Sequence, residues 1–249
     1  MTAAHNQQQQ KPGGPSRAFE LLDKVDYRLA ETAAEKEAIF RLRYRAYLKE
    51  GTIEPNASGI ITDRYDEMDN SWIVGVYLEG VLTSSLRITV ASRDNPVCPS
   101  MDVFADLLQP ELDRGRIIVD PTRFVGDPER AHRFPELPYM TLRLAYVACE
   151  HFQAHLGYAS VRAEHQAFYR KAFMQIVCPP RHYPGLTKPI SLMVIDFPAL
   201  HGKVFARYPF LRSSAFERRK IFERSGEGAS PPLHLTDFPA DPAAIASRA

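Results

Sequence analysis

Apolar and polar residues alternate in short stretches along the chain, and the period of the alternation changes from one stretch to the next. Val25-Asp26-Tyr27-Arg28-Leu29-Ala30 follows a period of two and predicts a short strand. Glu31-Thr32 then opens a helical run to about Lys49, with Ile39, Leu42, Tyr44, Ala46 and Tyr47 on a broad apolar side and Gly51 and Pro55 ending it. Trp72–Leu78 and Val81–Val90 are rich in strand formers and flank Glu79-Gly80, a hairpin pattern. A further strand is expected over Arg116–Val125. Pro121 interrupts it, and a residue without an N–H predicts a bulge or an open edge there. A helix over 139–156, a strand over Tyr158–Ala163 after a helix-ending Gly157, a helix over Gln166–Phe173 and a buried strand over Ser191–Phe197 complete the series. Antiparallel strands followed by a strand–helix–strand crossover imply an α/β (α+β) fold: a mixed, mostly antiparallel central sheet with helices on both faces.

The two ends break the pattern. Residues 1–17 hold successive glutamines and a Pro/Gly/Ser cluster, and the far end is equally poor in apolar periodicity, so neither offsets the entropy of ordering. The expected organisation is a flexible tail over 1–19, one domain over 20–224 and a flexible tail over 225–249.

Composition narrows the classes. The chain has 249 residues, of which 45% are hydrophobic, enough for one sizeable core. With 31 basic and 30 acidic side chains the net charge is +1, without the basic excess of a general nucleic-acid binder. There is no apolar run of about 18 residues to span a bilayer, and the N-terminus lacks the apolar centre of a signal peptide. Cys98, Cys149 and Cys178 are odd in number and scattered, which predicts reduced, packed thiols in a cytoplasmic protein. His151 and His155 stand four apart on a helix but lack the HExxH order and a third ligand, so no metal is expected.

Four stretches can carry chemistry. Arg43 and Tyr47 share one face of the first long helix, as a binding wall or as a solvated arginine beside a half-buried tyrosine. Asp63 and Asp66 lie in a dense acidic loop, able to hold an ammonium or arginines, or simply polar. Arg87 sits inside a strand; it faces solvent, or it faces inward and takes a carboxylate of the acidic loop as partner. Asp120-Pro121-Thr122-Arg123-Phe124 combines a carboxylate with a broken ladder. That break is either a structural bulge or an edge to which the peptide-like groups of a pantetheine arm can add.

Residues 25–224 resemble the N-acyl amino acid synthases, GNAT-fold relatives of the acyl-homoserine-lactone autoinducer synthases. The resemblance rests on Arg43 with Tyr47, Asp63 with Asp66, Arg87, Phe104-Ala105-Asp106-Leu107-Leu108, and Asp120-Pro121-Thr122-Arg123-Phe124. Autoinducer synthases carry Glu-x-Ser-Arg-Phe at the last motif and a further Glu where this chain has Ile61. Losing that acid turns the reading from lactone formation towards amino-acid acylation.

The resemblance implies transfer of a long fatty acyl group from an acyl-carrier-protein or CoA thioester to the amine of a free amino acid, with no tightly bound cofactor. Asp120 is the expected base, with Glu164 as second choice. Backbone amides around Thr122 and Phe124 are expected to meet the oxyanion. Arg43 and Arg123 would organise the acidic loop or hold the amino acid carboxylate. Phe104, Leu107, Leu142 and Tyr146 are expected to line the acyl pocket. Residues 126–135 contain one glycine and two prolines, unlike the glycine-spaced loop that cradles a CoA pyrophosphate, so a carrier protein is the expected partner. Arg130, Arg133, Arg143, Arg170, Lys171 and Arg181 are candidates for its docking charge, or for a scattered solvated surface. An autoinducer synthase, a non-catalytic carrier- or lipid-binding protein and an ordinary acetyltransferase are the competing readings.

Overall fold

A computed structural model describes residues 15–224. Seven strands form one sheet in the order β1-β2-β3-β4-β5-β7-β6. They are β1 (Val25–Leu29), β2 (Ser71–Leu78), β3 (Val81–Ala91), β4 (Ile118–Gly126), β5 (Leu156–Val161), β6 (Gln175–Ile176) and β7 (Ser191–Asp196). The β4–β5 pair is parallel and the other neighbours are antiparallel. The helices are α1 (Pro15–Leu22), α2 (Ala33–Lys49), α3 (Met101–Asp113), α4 (Leu137–His151), α5 (Gln166–Lys171), α6 (Phe197–Arg207) and α7 (Ala215–Phe222).

Local chemistry explains the strongest elements. Thr32 caps α2 by accepting from Glu35 N while the Glu35 carboxylate accepts from Thr32 N, which satisfies two donors at the helix start. Glu79 and Gly80 both take positive φ, +52° and +81°, the primed turn that matches strand twist and joins β2 to β3. Strand alternation then sorts side chains to two faces. Trp72, Val74, Leu86, Ile88, Val119 and Ala159 join α4 in the main core. Ile73 packs instead under α2, and Ile118, Leu156, Tyr158 and Leu192 under α3. So α2 and α3 cover one face and α4 the other. The Trp72 indole N–H donates to Phe222 O at 2.9 Å and ties α7 to β2.

Several expectations change. The N-terminal boundary moves outward, because α1 begins at Pro15 and buries Ala18 and Leu21; the rest of the expected tails, 1–14 and 225–249, lies outside the described residues. A helix over Met101–Asp113 was hidden by Pro110 and by a kink at Phe104 (φ −122°, ψ 25°). Gly157 does not end a helix. It lies within β5, where a Cβ would come within 3.0 Å of Ile195 and 3.4 Å of Cys149, so glycine permits α4 and β7 to approach. His155 Nδ1 accepts from Ile117 N, and His151 stacks on Phe152 and Phe222.

Candidate active site

Strands β4 and β5 pair only at Ile118↔Leu156 and Val119↔Gly157, then diverge. The divergence has a local cause. The Ile117 carbonyl accepts from His155 N and Leu156 N, so it points at β5. The two-residue period turns 119 and 121 the same way, and Pro121 has no N–H to offer. Beyond that point β4 stays with β3 and β5 with β7. The gap widens into a cleft of about 680 Å3, walled by Tyr47, residues 121–126, Ser160, Arg162 and Tyr169 among others.

The open edge is where the sequence placed it, but the bulge lies two residues further on. Arg87 pairs with Thr122 and Ser85 with Val125, so Leu86 alone opposes Arg123 and Phe124, and Arg123 takes a φ of +55°. Asp127 N donates to Thr83 O at 2.7 Å, and by alternation the amides of 125 and 127 serve β3 while those of Phe124 and Gly126 face the cleft. The Thr122 amide, by the count that applies before the bulge, faces β3. Its hydroxyl accepts from Arg87 Nε at 3.1 Å. Thr122 is therefore held by the neighbouring strand through both its amide and its hydroxyl, whereas the Phe124 amide is directed at the cleft.

Arg87 faces inward. Its Nη1 donates to Asp63, and to Asp66 at 3.0 Å, from a side chain with 1% exposure. Arg43 is buried too, which rules out the solvated alternative but also keeps it off the cleft wall, and it donates to both oxygens of Asp66. Arg123 donates to Asp63 through Nη2 (2.6 Å) and Nε (3.2 Å), and its guanidinium lies 5.6 Å from the Tyr47 ring centre. Burial lowers the Arg43 guanidinium to about 10, with Asp66 opposing and Arg87 adding to the fall; it stays charged at neutral pH. For Asp63, burial acts upward, but Arg87 and Arg123 overcome it and hold the carboxyl at about 2. Of the three arginines, Arg123 lines the cleft; Arg43 and Arg87 stand behind it.

Asp120 is fully buried and is not part of the cleft wall, which corrects its expected position. It accepts from Ser100 N and Ser100 Oγ, both at 2.8 Å, and Ser100 Oγ lies 2.9 Å from Ser160 Oγ on the wall. Burial raises its carboxyl above the ordinary range, against the lowering by the Ser100 bonds. Glu164 is outside the wall, half exposed and paired with Arg162 and Lys188 at 3.5 and 3.6 Å; its carboxyl is lowered, chiefly by its own backbone amide. It stays ionised at the rim.

Leu142 and Tyr146 line a narrow apolar pocket of about 30 Å3 behind the cleft, joined to it through Pro121, Phe124 and Tyr169. Phe104 and Leu107 do not. They belong to the α3 core on the opposite face of the sheet, with Arg181 over the Phe104 ring. Arg181 is tied to Asp106, and Arg143 is buried between Phe210 O, Arg212 O and Glu217, so neither is free docking charge. Arg130, Arg133, Arg170 and Lys171 are exposed.

The start of α4 borders the cleft at Leu137 and Pro138, yet its amides are spent. Leu137 N donates to Phe134 O, Pro138 has no N–H, and Tyr139 N and Met140 N both donate to Glu136 O. Ser100, Ser160, Arg162 and His165 were missed in the sequence. The hydroxyl of Ser160 inside a buried strand was the available signal; the approach of Ser100, from 60 residues away, left none.

Residues 38–196 match the family model described as N-acyl amino acid synthase FeeM. No curated protein matches the sequence. Among solved structures the chain is similar to FeeM, an N-acyl amino acid synthase from uncultured soil microbes. The TM-score is 0.62 at 14% identity, covering 73% of this chain and 96% of that one. It also resembles BjaI, a CoA-dependent acyl-homoserine lactone synthase solved with MTA (TM-score 0.51, 13% identity, 75% and 89% covered). A third is TofI, in a ternary complex with an inhibitor and MTA (TM-score 0.50, 17% identity, 72% and 96% covered). At these identities the structures establish a shared GNAT-like fold.

Proposed function

The chain belongs to the FeeM family of N-acyl amino acid synthases and is an N-acyltransferase; on that premise we propose that it joins a long fatty acyl chain, delivered as a carrier-protein thioester, to the amine of a free amino acid. The observation that carries this reading is the parting of β4 and β5 after Val119 and Gly157, which opens onto a cleft with a largely apolar wall on one side and a narrow apolar pocket on the other. An extended pantetheine arm can add to the free edge of β4 as a peptide adds to a sheet. The thioester carbonyl then meets the Phe124 and Gly126 amides, which stabilise the oxyanion that develops as the amine attacks. The acyl tail packs against the apolar wall of the cleft at Phe124, Phe168 and Tyr169, and the narrow pocket at Leu142 and Tyr146 must widen to admit its end.

Arg123 is the cation available to the carboxylate of the amino acid, held in place by Asp63 and Tyr47, while Arg43, Arg87 and Asp66 fix the loop behind it. The spent amides at the start of α4 favour a carrier-presented donor over free CoA, because a pyrophosphate there has no backbone donors to bind. Exposed Arg130, Arg133, Arg170 and Lys171 provide positive charge for an acidic carrier protein. Such donors are made in the cytoplasm, where we place the enzyme. Among the described residues no helix is long and apolar enough to cross a membrane.

The test is incubation of the purified protein with a long-chain acyl-carrier protein, or acyl-CoA, and all twenty amino acids, followed by mass spectrometry. N-acyl amino acids that depend on the protein, together with free carrier thiol, are the expected products. Release of methylthioadenosine from added S-adenosylmethionine would instead identify an autoinducer-type synthase.

A further inference from the structure

Amide formation in the cleft must pass on a proton, yet the carboxylate expected to receive it is walled off from the cleft. The gap between them is bridged by hydroxyls. Ser160 on β5 lines the cleft, its Oγ lies 2.9 Å from Ser100 Oγ, and Ser100 Oγ lies 2.8 Å from Asp120 Oδ1. Ser100 N holds the other Asp120 oxygen at 2.8 Å, and Ser100 itself has no exposed surface. An ionised carboxylate only accepts, so Ser100 donates to Asp120 and must take its own hydrogen bond from Ser160. That orientation leaves the Ser160 lone pairs directed away from Ser100 and available to the cleft.

Resting on the amide-forming activity proposed above, we propose that Ser160 and Ser100 form a two-hydroxyl proton relay between the amine in the cleft and the buried Asp120. The neutral amine forms its N–C bond at the thioester carbon and the carbonyl electron pair moves onto oxygen. The nitrogen then gives a proton to Ser160 Oγ, Ser160 gives its own to Ser100 Oγ, and Ser100 gives its own to Asp120. When the oxyanion collapses the C–S bond breaks, sulfur leaves with the electron pair, and the proton held at Asp120 returns along the same path to the thiolate. The products are an amide and a free thiol, with Asp120 ionised again. Asp120 is suited to holding the proton because burial disfavours its charge. The groups that face it are the Cys98 thiol, the Arg87 guanidinium from β3, Tyr158 from β5 and Tyr183 from the segment before β7.

The other bases near the cleft are engaged, and Glu50, the carboxylate on the wall itself, accepts from Arg162 Nη2. Arginine only donates, so the 2.6 Å contact between Arg162 Nη2 and His165 Nε2 makes that nitrogen the acceptor and leaves a neutral ring with an N–H alone. Glu164 is held at the rim by Arg162 and Lys188.

Single-turnover and steady-state acylation by the full chain, with a long-chain acyl-carrier protein and saturating amino acid, tests the relay. Ser160→Ala and Ser100→Ala are expected to lose about 100-fold or more in kcat, with the amino-acid KM within about twofold of wild type. Ser160→Thr, which keeps the hydroxyl, is expected to retain about a third of the rate or more. In mixtures of light and heavy water the wild type should give a curved proton inventory, and Ser160→Ala a linear one. An active wild type whose Ser160→Ala variant keeps its rate and its curvature overturns the relay alone. So does a rate loss in Ser160→Ala that Ser160→Thr fails to restore and that tracks a fall in urea midpoint, since that marks a packing role. A wild type that forms no N-acyl amino acid with any donor removes the underlying activity, and the relay with it.

Discussion

Arg43 and Asp66, on α2 and on the acidic loop, meet with no exposed surface on either side chain. A single guanidinium nitrogen of Arg43 donates to both carboxylate oxygens, at 2.8 and 2.9 Å. Thr62 Oγ1 and Asp63 N donate to the same carboxylate at 3.0 Å, as does Arg87. Asp66 thus gathers α2, the loop and β3 around one buried charge. Its neighbour Asp63 extends the cluster to Arg123 and the cleft.

Removing that charge should be costly. Asp66→Ala leaves two buried guanidinium groups with a reduced counter-charge, and breaking a buried ion pair from one side costs about 3–5 kcal/mol. Urea denaturation followed by circular dichroism should show a loss of this size. A loss under about 1 kcal/mol would mean that water reaches Arg43.

Arg123→Lys should act on binding more than on folding. Lysine keeps a positive charge but not the fork that contacts Asp63 twice and stacks by Tyr47. The amino-acid KM is expected to rise about tenfold with kcat changed less, and unfolding free energy to shift by about 1 kcal/mol or less. Steady-state kinetics at saturating donor separate the two effects.

Acid should weaken the cluster in a defined window. The Asp63 carboxyl falls from 3.8 in the unfolded chain to about 2 in the fold, so its contribution is fully present above pH 4 and is lost as pH falls towards 2. The shift corresponds to about 2 kcal/mol. In Asp63→Asn, urea midpoints measured between pH 5 and pH 2.5 should fall less steeply than those of the wild type.

Acyl-chain selection should respond to one face of the sheet and not the other. Cys149 lies with Leu142 and Tyr146 on the narrow pocket. Cys149→Phe should shift the products to shorter chains in competition between donors of different length. Phe104→Leu, beneath α3 on the other face, should cost about 1–2 kcal/mol of stability and leave the length distribution unchanged. Mass spectrometry of products from mixed donors reads both.

Much of the frame was legible because it depends on local periodicity. The two-residue alternation of β1, the runs of strand formers in β2, β3 and β7 and the capped apolar run of α2 are properties of neighbouring residues, and they emerge at nearly the same boundaries in the fold. Pro121 marked the open edge of β4 because a missing N–H is a covalent fact. Elements whose local signals conflict were lost. Pro110 hid α3, and Gly157, which reads as a helix stop, serves close packing inside β5.

What the sequence alone determined, then, is the main strands and the helices α2, α4 and α5, the weak point in β4, and the set of arginines and aspartates from which the site is built. Which of those charges pair, and on which side of the sheet each apolar residue falls, was settled by tertiary structure. Arg43 could be read as solvated until α2 folded over the sheet and brought Asp66 to it. Phe104 and Leu142 look alike in sequence but are separated by the thickness of the sheet. The distance from Asp120 to the cleft, with Ser100 and Ser160 between, is set by three segments that meet only when β4, β5 and the start of α3 are in place. Contacts across such separations depend on the packing of all the intervening elements, and no local pattern encodes them.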